Sequence, residues 1–486
     1  MARANPILKG RVVETLRARF GSDVQLDSLQ VSITHGVEVS GSGLRIYPPD
    51  ELRAAGDNDP VIAVRYFDFR ASIAGLIFKP THVSQVNVRG LVIRVPPAKL
   101  RRKDLREKRR IGKVKIRVDK FICDDSQLVI GTDKPDKDPH VFLLKHVVLK
   151  DLGPGTGWPF DAVLTNPIPR GEIHATGTFG PWDTDDPGDS KVEGRYTFEH
   201  ADLNTIKGLG GILRSTGNFA GQLDRIAING NTEVPDFSLD TANHPLPLST
   251  TFQATVDGTS GDTYLESIQA KLGSSAFSCQ GAVVDIKGEG HIIQLSTLVP
   301  NGQIADFLGL AVKARPAPMT GLLALRAELR IAPGGGSVSQ KLKMNGSFTL
   351  RQIHFTNPAI EDKVDLLSLR AQGETDDLNP GAPDVTSKMS GQFVMENGKL
   401  AFSQLDYALP GGDVHLTGSY TLDGRQYDFV GKVQTQAAVS KMVASKWKRV
   451  LLKPIDPFFS KNGWGAEIPM KVSSDKDGKP KFGFRF

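Results

Sequence analysis

Histidines and paired carboxylates are the residues of this chain best suited to acid–base or metal chemistry, but their spacing is unfavourable for it. The ten histidines are scattered, and none has a second histidine four residues away, the spacing by which one helix face presents two metal ligands. Acidic pairs such as Asp124-Asp125 and Asp376-Asp377 lie in turn-like sequence, and adjacent residues of a strand point to opposite faces. The sequence therefore predicts no catalytic residues, no metal site and no cofactor, and we expect a protein that is not an enzyme.

Two further features could carry chemistry. The run Gly153-Pro154-Gly155-Thr156-Gly157 is glycine-rich like a phosphate-binding loop, but it lacks the lysine of that motif and lies among prolines, which favours a turn. Cys123 and Cys279 are far apart and form no C-x-x-C motif. Both lie near apolar residues, so the sequence predicts two buried free thiols rather than a disulfide.

The strongest local charge lies between Lys99 and Lys120. This stretch holds 12 Lys and Arg residues against three acidic ones, a local net charge of +9, whereas the whole chain carries +6. A basic segment can bind anionic lipid headgroups. It has no interleaved aromatic residues on which bases could stack, so nucleic acid is not an expected partner. The alternative is a solvated linker, and in either case we expect Lys99 to Arg110 to form an exposed helix or loop.

The chain opens with a helical pattern. Asn5 can cap a helix, and Pro6 suits its first position. Apolar residues then recur at every fourth position: Leu8, Val12, Leu16 and Phe20. The sequence predicts an N-terminal helix over residues 1–20 that packs on a core or lies near a membrane surface.

Beyond this helix the apolar period changes from about four to two. In the first example Leu29, Val31 and Ile33 alternate with polar residues, and Val37 and Val39 follow. Strict alternation gives a strand one apolar and one polar face, which is typical of antiparallel sheets with one dry face. We therefore expect these five side chains to share one apolar face.

Two patterns interrupt or punctuate the strands. Further short helices are predicted at about 202–213, at about 302–311, from the capping pair Asn357-Pro358, and at about 437–452. A glycine followed two positions later by an aromatic residue also recurs, at Gly177, Gly217, Gly346, Gly391 and Gly418. Such glycines suit strands that begin or bend in a repetitive β structure.

The predicted C-terminal helix is rich in cations and aromatic residues. Val443, Trp447 and Leu451 form an apolar row beside several lysine and arginine residues, and Phe458 and Phe459 follow. A helix of this kind can plug the end of an apolar groove or contact a membrane surface. It can also simply cap the last strands, and each alternative keeps the apolar row away from water.

The expected fold is mainly β: an elongated, curved antiparallel sheet that forms a half-open apolar groove, with a few short helices. At about 15 residues per strand and turn the chain holds about 30 strands, and a spacing of about 4.8 Å makes the sheet about 140 Å long. The alternating residues 29, 31, 33, 37 and 39 are candidates for lining the groove. We expect a helix at 1–20, a β region at 21–180 with a basic insertion at 99–120, and a second β region at 181–486.

Four stretches carry a family resemblance: "FGSDVQLDSLQVSITHGVEVSGSGLRIYP" up to position 48, "KFICDDSQLVIGTDK" at 120–134, "IHATGTFGPW" at 173–182, and 389–429, which begins "MSGQFVMENGKLAF". Together they resemble the AsmA family of bacterial envelope proteins. All four are structural β patterns, and none is a catalytic signature. The resemblance covers most of the chain.

The larger relatives in this family are bridge-like lipid transfer proteins. The resemblance thus implies a non-enzymatic periplasmic protein that binds or conducts lipid between membranes, in outer-membrane biogenesis or lipid homeostasis. Its implied partners are phospholipid or another lipid, a membrane surface and other envelope proteins. Family members usually begin with an inner-membrane helix, and this sequence begins just before the juxtamembrane position, so we expect the anchor to be missing from it. The alternatives are a structural envelope protein without ligand and a glycan-binding surface protein, although a glycan binder would want more than 4 Trp and 7 Tyr.

Overall fold

A computed structural model gives the chain an almost continuous β architecture. It describes residues 4–20, 22–33, 37–48, 59–71, 81–95, 116–131, 134, 136–153, 157–181, 187–374, 385–422, 426–443, 453, 456, 460, 465–474 and 480–484. The helices are α1 (Ala4–Phe20), α2 (Ile304–Ala311), α3 (Val338–Lys341) and α4 (Pro358–Gln372). The strands are β1 (Val24–Gln25), β2 (Ser28–Ser32), β3 (Val37–Ile46), β4 (Ile62–Ala71), β5 (Thr81–Val95), β6 (Ile116–Ile130), β7 (His140–Leu152), β8 (Trp158–Pro167), β9 (Arg170–Phe179), β10 (Lys191–Asp202), β11 (Leu209–Gly210), β12 (Ile212–Gln222), β13 (Arg225–Leu239), β14 (Leu246–Val256), β15 (Thr263–Leu272), β16 (Ser275–Ile286), β17 (Gly290–Gln303), β18 (Met319–Ile331), β19 (Leu342–Phe355), β20 (Ser387–Glu396), β21 (Lys399–Leu409), β22 (Gly412–Thr421), β23 (Tyr427–Thr435), β24 (Ala466–Ser474) and β25 (Pro480–Phe484).

The strands form one sheet in which each strand from β2 to β25 hydrogen bonds to the next, apart from two short pieces. β1 pairs with β3 beside β2, and β11 pairs with β13, so that β10 and β12 are direct neighbours. All pairs are antiparallel except β5 and β6, which are parallel. Within the described residues no strand pairing joins the two ends of the sheet. The prediction of a mainly β, open sheet with a few short helices is confirmed, with 25 strands in the described parts of the chain.

Three predicted helices are present. α1 covers the N-terminal pattern, α2 covers most of 302–311, and α4 begins after the predicted cap. The Asn357 side-chain oxygen accepts a hydrogen bond from the backbone N–H of Ala359 at 3.0 Å, and Pro358 occupies the first helical position. At the other end of α4, Gly373 adopts a left-handed conformation with φ of 86°. Local capping signals in the sequence were therefore sufficient to place this helix.

The predicted helix at 202–213 is wrong. The segment contains only a single 3-10 turn, Leu203–Thr205, followed by strands β11 and β12. Gly208 and Gly211 adopt φ values of +97° and +119°, which an α-helix does not contain. These backbone conformations are therefore incompatible with an α-helix through Gly208 and Gly211.

The C-terminal helix and the basic segment fall largely outside the described residues. Of residues 437–452 the structure describes those up to Val443, and they include a 3-10 turn, Val439–Met442. Trp447, Leu451, Phe458 and Phe459 lie beyond it, and so does the stretch from Lys99 to Arg110. The last strands of the chain are present as β24 and β25.

Most strands whose side chains the structure describes have a mainly polar and a mainly apolar face, as the alternation predicts. In β10, for example, Lys191 and Arg195 are exposed, whereas Val192 and Tyr196 on the other face are half-buried. The same alternation holds along β13 and β14. The polar face is therefore in water, and the apolar face is partly covered.

The ends of the strands, with the turns that join them, lie along two opposite rims of the sheet. The pairing registers show on which rim each turn lies. We call the first rim the end where the turns after β12, β14, β16 and β18 lie. The second rim is the opposite end, with the turns after β6, β10, β13 and β15. A contact between the two rims therefore requires the sheet to curl back on itself.

The first such contact, which we call the first link, is made by the loop between β6 and β7. Lys137 of this loop lies with its Nζ atom 2.7 Å from Oδ1 of Asp262, and only 4% and 3% of the two side chains are exposed. The backbone N–H of Lys287 donates to the carbonyl of Asp136 at 2.9 Å. The loop lies on the second rim, whereas Asp262 and Lys287 lie on the first rim, in the turns after β14 and β16.

A second link joins the rims further along the sheet. The backbone N–H of Val338, at the start of α3, donates to the carbonyl of Lys207 at 2.9 Å. Val338 lies on the first rim after β18, and Lys207 lies on the second rim after β10. The approach is close: a Cβ atom added to Gly208 would lie 2.8 Å from the Val338 nitrogen.

Each link connects a turn on the second rim to a turn on the first rim that lies about eight strands further along the sheet. Because the ladder between them is unbroken, the sheet must wind into a coil with about eight strands per turn. A closed barrel of about eight strands has an interior just wide enough for side chains or one small ligand. The coil therefore wraps the apolar face around a narrow interior without closing the sheet.

The coil is packed most tightly near the N-terminus. The apolar faces of β4 to β8 share one buried cluster that includes Val64, Val88, Cys123, Val147 and Ala162. These side chains are less than one-tenth exposed. This end of the sheet therefore has an ordinary dry core.

Candidate functional site

One row of side chains runs across nearly the whole apolar face. Residues that oppose one another in successive ladders share a face, and following them from β2 to β24 selects one residue from every strand except β11. We call these residues the central row: Leu29, Gly41, Phe67, Val88, Cys123, Val147, Ala162, Ala175, Tyr196, Gly217, Gly230, Phe252, Ile268, Cys279, Thr297, Ala327, Gly346, Phe393, Phe402, Gly418, Phe429 and Val472. None of them is charged, so an apolar path crosses the sheet without a charged side chain.

The rows beside the central row extend the apolar surface. Two residues closer to the first rim, a second row begins with Val31 and Val39 and continues through Phe219, Ile228 and Met344, again without charge. On the opposite face the same strands present polar side chains. The apolar stripe is therefore several residues wide.

Glycines and aromatic rings fit together along this stripe. A Cβ atom on Gly217 would lie 2.8 Å from a ring carbon of Tyr196, and one on Gly391 would lie 3.0 Å from a ring carbon of Phe348. Each ring thus lies over a glycine of the neighbouring strand. The Gly-x-aromatic motif of the sequence therefore places glycines mid-strand, where they accept the rings of adjacent strands, and does not mark strand starts.

The accessibility of the central row changes along the sheet. From Leu29 to Ala175 nearly all of its side chains are buried, but from Tyr196 onward most are half-buried, including Phe252 and Ile268. Half-buried apolar side chains in the middle of a long sheet are surfaces that water or a ligand can reach. The part of the apolar face open to a ligand therefore starts at β10.

The early groove candidates lie mostly on the expected face but in its packed part. Leu29 is 6% exposed and belongs to the central row, and Val31 opposes Val39 in the second row. Val37 is half-buried at the start of β3. Ile33 departs from the expectation: it is 65% exposed, because the ladder between β2 and β3 ends at Ser32 and no residue opposes it.

Among the C-terminal candidates, only Val443 is described, and it is half-buried. Trp447, Leu451, Phe458 and Phe459 stay predictions. The open apolar surface around Phe252, in contrast, was not singled out in the sequence. Its signal was present, since β14 alternates strictly, but the pattern is no different from that of the strands with a dry core.

The polar face carries a shallow depression over β10 to β14. Its volume is about 430 Å³, and amide side chains such as Asn218, Asn229 and Gln253 line it together with Arg195. Sugar-binding surfaces usually stack an aromatic ring on the sugar. Two aromatic residues, Tyr196 and Phe252, line the depression together with these hydrogen-bonding side chains, and the ring of Tyr196 lies against Gly217.

Several histidines of the polar face are paired with carboxylates. His146 Nδ1 lies 2.6 Å from Oδ1 of Asp124, and His415 Nδ1 lies 2.7 Å from Oδ1 of Asp406. The hydrogen bond from His415 lowers the pKa of Asp406. In the described chain these histidines bond to carboxylates and an amide, not to a hydroxyl or thiol nucleophile, and no cluster of three metal-ligating side chains is found there.

Both cysteines belong to the central row and are free thiols. Cys123 is buried in the N-terminal cluster, whereas Cys279 is half-buried and lies 3.4 Å from the hydroxyl of Thr297. Burial raises the pKa of both thiols. Cys279 is therefore a natural reporter of the open part of the stripe.

The raised pKa of Cys279 predicts an unusual pH profile of alkylation. In a Cys123→Ala variant, the rate of reaction with iodoacetamide should keep rising about tenfold per pH unit beyond the pH at which an ordinary cysteine is ionised, because only the thiolate reacts. Mass spectrometry after timed quenching measures the rate, and the same protein in denaturant is the control. Identical profiles for folded and denatured protein would contradict the burial of this thiol.

The described residues include no helix that is both long and apolar enough to cross a membrane. The apolar residues of this chain are instead distributed along strands, and their largest continuous array is the central row. The chain matches no protein-family model, no curated protein and no solved structure in comparisons with known proteins.

Proposed function

We propose that this chain binds the acyl chains of lipids along the open part of the central row and conducts them between membranes of a bacterial envelope. The observation that carries the proposal is the central row itself, which crosses 22 strands without a charged side chain. Its neighbours in the second row are uncharged as well. A surface of this kind favours contact with hydrocarbon and has no charged side chain that could pair with an ion.

The energetics suit a conduit better than a single tight site. Each buried CH₂ contributes about 0.8 kcal/mol, and the same contribution is available at every step along the stripe. The central row spans about 100 Å measured along the sheet, at about 4.8 Å per strand. A lipid could therefore move from strand to strand without crossing a large barrier, with its charged headgroup remaining outside the coil.

The cellular setting is proposed from the family resemblance. A periplasmic AsmA-like protein, tethered to the inner membrane by a helix outside this sequence, would take part in outer-membrane biogenesis or lipid homeostasis. Its partners would be phospholipid or another lipid, the membrane surface and other envelope proteins. A ligand-free structural role and glycan binding are the alternatives that the following experiment separates.

Photo-crosslinking at two adjacent positions tests the proposal. We expect benzoylphenylalanine at Phe252, on the apolar face, to crosslink to radiolabelled phospholipid supplied in vesicles. The same residue at Gln253, which is exposed on the polar face of the same strand, should not. Lipid should also be extracted from the purified protein and identified by mass spectrometry. Equal labelling at both positions would refute binding along the apolar face, and no lipid at Phe252 together with none in the extract would refute lipid binding.

A further inference from the structure

Besides Thr297 of the central row, the open part of the apolar stripe contains a cluster of hydroxyl-bearing side chains. Ser215, Thr232 and Thr250 oppose one another on β12, β13 and β14, in the row next to the central row on the side of the second rim. Their neighbours in the same row are Phe198 and Ala270, which are apolar. Three consecutive strands thus present a hydroxyl to the interior of the coil, and we call these residues with Tyr196 the hydroxyl patch.

The ring of Tyr196 reaches this patch because two glycines let it lie flat. A Cβ atom on Gly217 would lie 2.8 Å from its ring, and one on Gly230 would lie 2.9 Å from its hydroxyl oxygen. The Tyr196 hydroxyl then lies 3.1 Å from Oγ of Ser215. Burial raises the pKa of Tyr196, which keeps this hydroxyl protonated.

The protons of the patch can be assigned by elimination. Ser215 donates its proton to the carbonyl of Asn231 at 3.0 Å, so it must accept from both Tyr196 and Thr232, whose hydroxyl lies 3.2 Å away. Those two residues have thereby used their only protons. Their lone pairs remain available, so both are free to accept but not to donate.

Thr250 completes the patch with an uncommitted hydroxyl. It directly opposes Thr232 across the ladder, and its side chain makes no hydrogen bond to the described residues. The patch therefore offers two acceptors, Tyr196 and Thr232, and one hydroxyl that can donate or accept. A phosphate, a carboxylate or an ester can only accept, and would leave these acceptors unsatisfied.

We propose that the hydroxyl patch is a recognition site for an uncharged hydroxyl group carried on a long hydrocarbon chain. The inference rests on the proposed function and adds a ligand class to it. The ligand hydroxyl donates to Tyr196 or Thr232 and accepts from Thr250, while its chain lies along the central row beside Phe252. No charged residue belongs to the patch or to its neighbours in the row, so the site selects a neutral group.

Two isomeric probes test the inference. 1-Dodecanol and 1-methoxyundecane have the same composition and nearly the same length, but only the alcohol can donate a hydrogen bond. Displacement of N-phenyl-1-naphthylamine from the wild-type protein should show the alcohol binding about tenfold more tightly than the ether. The triple variant Y196F/T232V/T250V nearly keeps the shapes of the three side chains but removes both acceptors and the uncommitted hydroxyl, and we expect it to bind the two probes equally.

The matched control is Thr251→Val, which makes the same change on the same strand but on the polar face, where Thr251 is exposed. It should keep the tenfold preference for the alcohol, and circular dichroism verifies that each variant is folded. Equal binding of the two probes to wild-type protein, or an unchanged preference in Y196F/T232V/T250V, would overturn the patch while leaving acyl-chain binding intact. Failure of the dye and both probes to bind wild-type protein would overturn the proposed function together with it.

Discussion

Replacing Asp262 by asparagine is expected to lower the free energy of unfolding by about 3–5 kcal/mol, because it leaves the buried ammonium group of Lys137 without its counter-charge. The Asp262 carboxylate accepts hydrogen bonds from Lys137 Nζ at 2.7 Å and from the backbone N–H of Asp285 at 3.0 Å. Burial makes this pair different from a surface ion pair, since water cannot replace either partner. Urea denaturation measures the change.

A matched control is available in an exposed ion pair. Lys145 and Glu172 also pair across strands, but their side chains are 52% and 45% exposed, so water can solvate either partner and Glu172→Gln should be far less destabilising than Asp262→Asn. The double variant K137M/D262L removes both charges and should recover most of the lost stability. If Asp262→Asn is no more destabilising than Glu172→Gln, the first link does not stabilise the coil.

Hydrogen exchange distinguishes a loss at the link from general unfolding. In Asp262→Asn the backbone amide of Lys287, which donates to the carbonyl of Asp136, should exchange faster. Amides in the ladder between β13 and β14 should keep most of their protection, because these strands pair independently of the link. Uniform loss of protection would mean that the link and the sheet unfold as one unit.

A carboxylate on the open stripe is expected to have the largest effect on binding. Ile228 is half-buried on β13 in the second row and opposes Phe219 and Ala254. In Ile228→Asp an acyl chain at this position would have to desolvate the carboxylate, which costs several kcal/mol. We expect the affinity for a fluorescent phospholipid to fall more than tenfold.

Asn229→Asp is the control for this substitution. It adds the same charge at the next position of the strand, on the exposed polar face, and should leave binding within about twofold of wild type. Because Ile228 is only partly covered in the ligand-free protein, both variants should retain the far-ultraviolet circular dichroism of the parent. Equal loss of binding in the two variants would show that charge in general, rather than charge on the stripe, weakens lipid binding.

The fold class was predictable because it depends on a local signal repeated many times. Alternation along β13 and β14 places apolar and polar side chains on opposite faces whatever the strands pair with. Asn357 and Pro358 likewise placed α4 by local capping. The helix expected at 202–213 failed for the complementary reason: Gly208 takes part in the second link, where a long-range contact with Val338 requires a close backbone approach.

The coil and the open part of the stripe could not be predicted in the same way. Lys137 and Asp262 are 125 positions apart, and neither stands in a motif that marks it as a partner of the other. The hydroxyl patch likewise cannot be recognised in the sequence, since Ser215, Thr232 and Thr250 lie on three different strands and only the ladder register brings them together. Sequence periodicity determines which face a residue occupies, but not which distant residue lies beside it.

Two kinds of interaction determine how the coil responds to mechanical force. Within a turn, strands are held by many ladder hydrogen bonds, whereas successive turns are held at the rims by a few contacts such as those of Lys137 and Val338. Tension applied between the N- and C-terminal ends of the sheet would release the rim contacts first, while the ladders and the central row remain intact. Such a molecule can change its length, and the pitch of its interior, without unfolding a single strand.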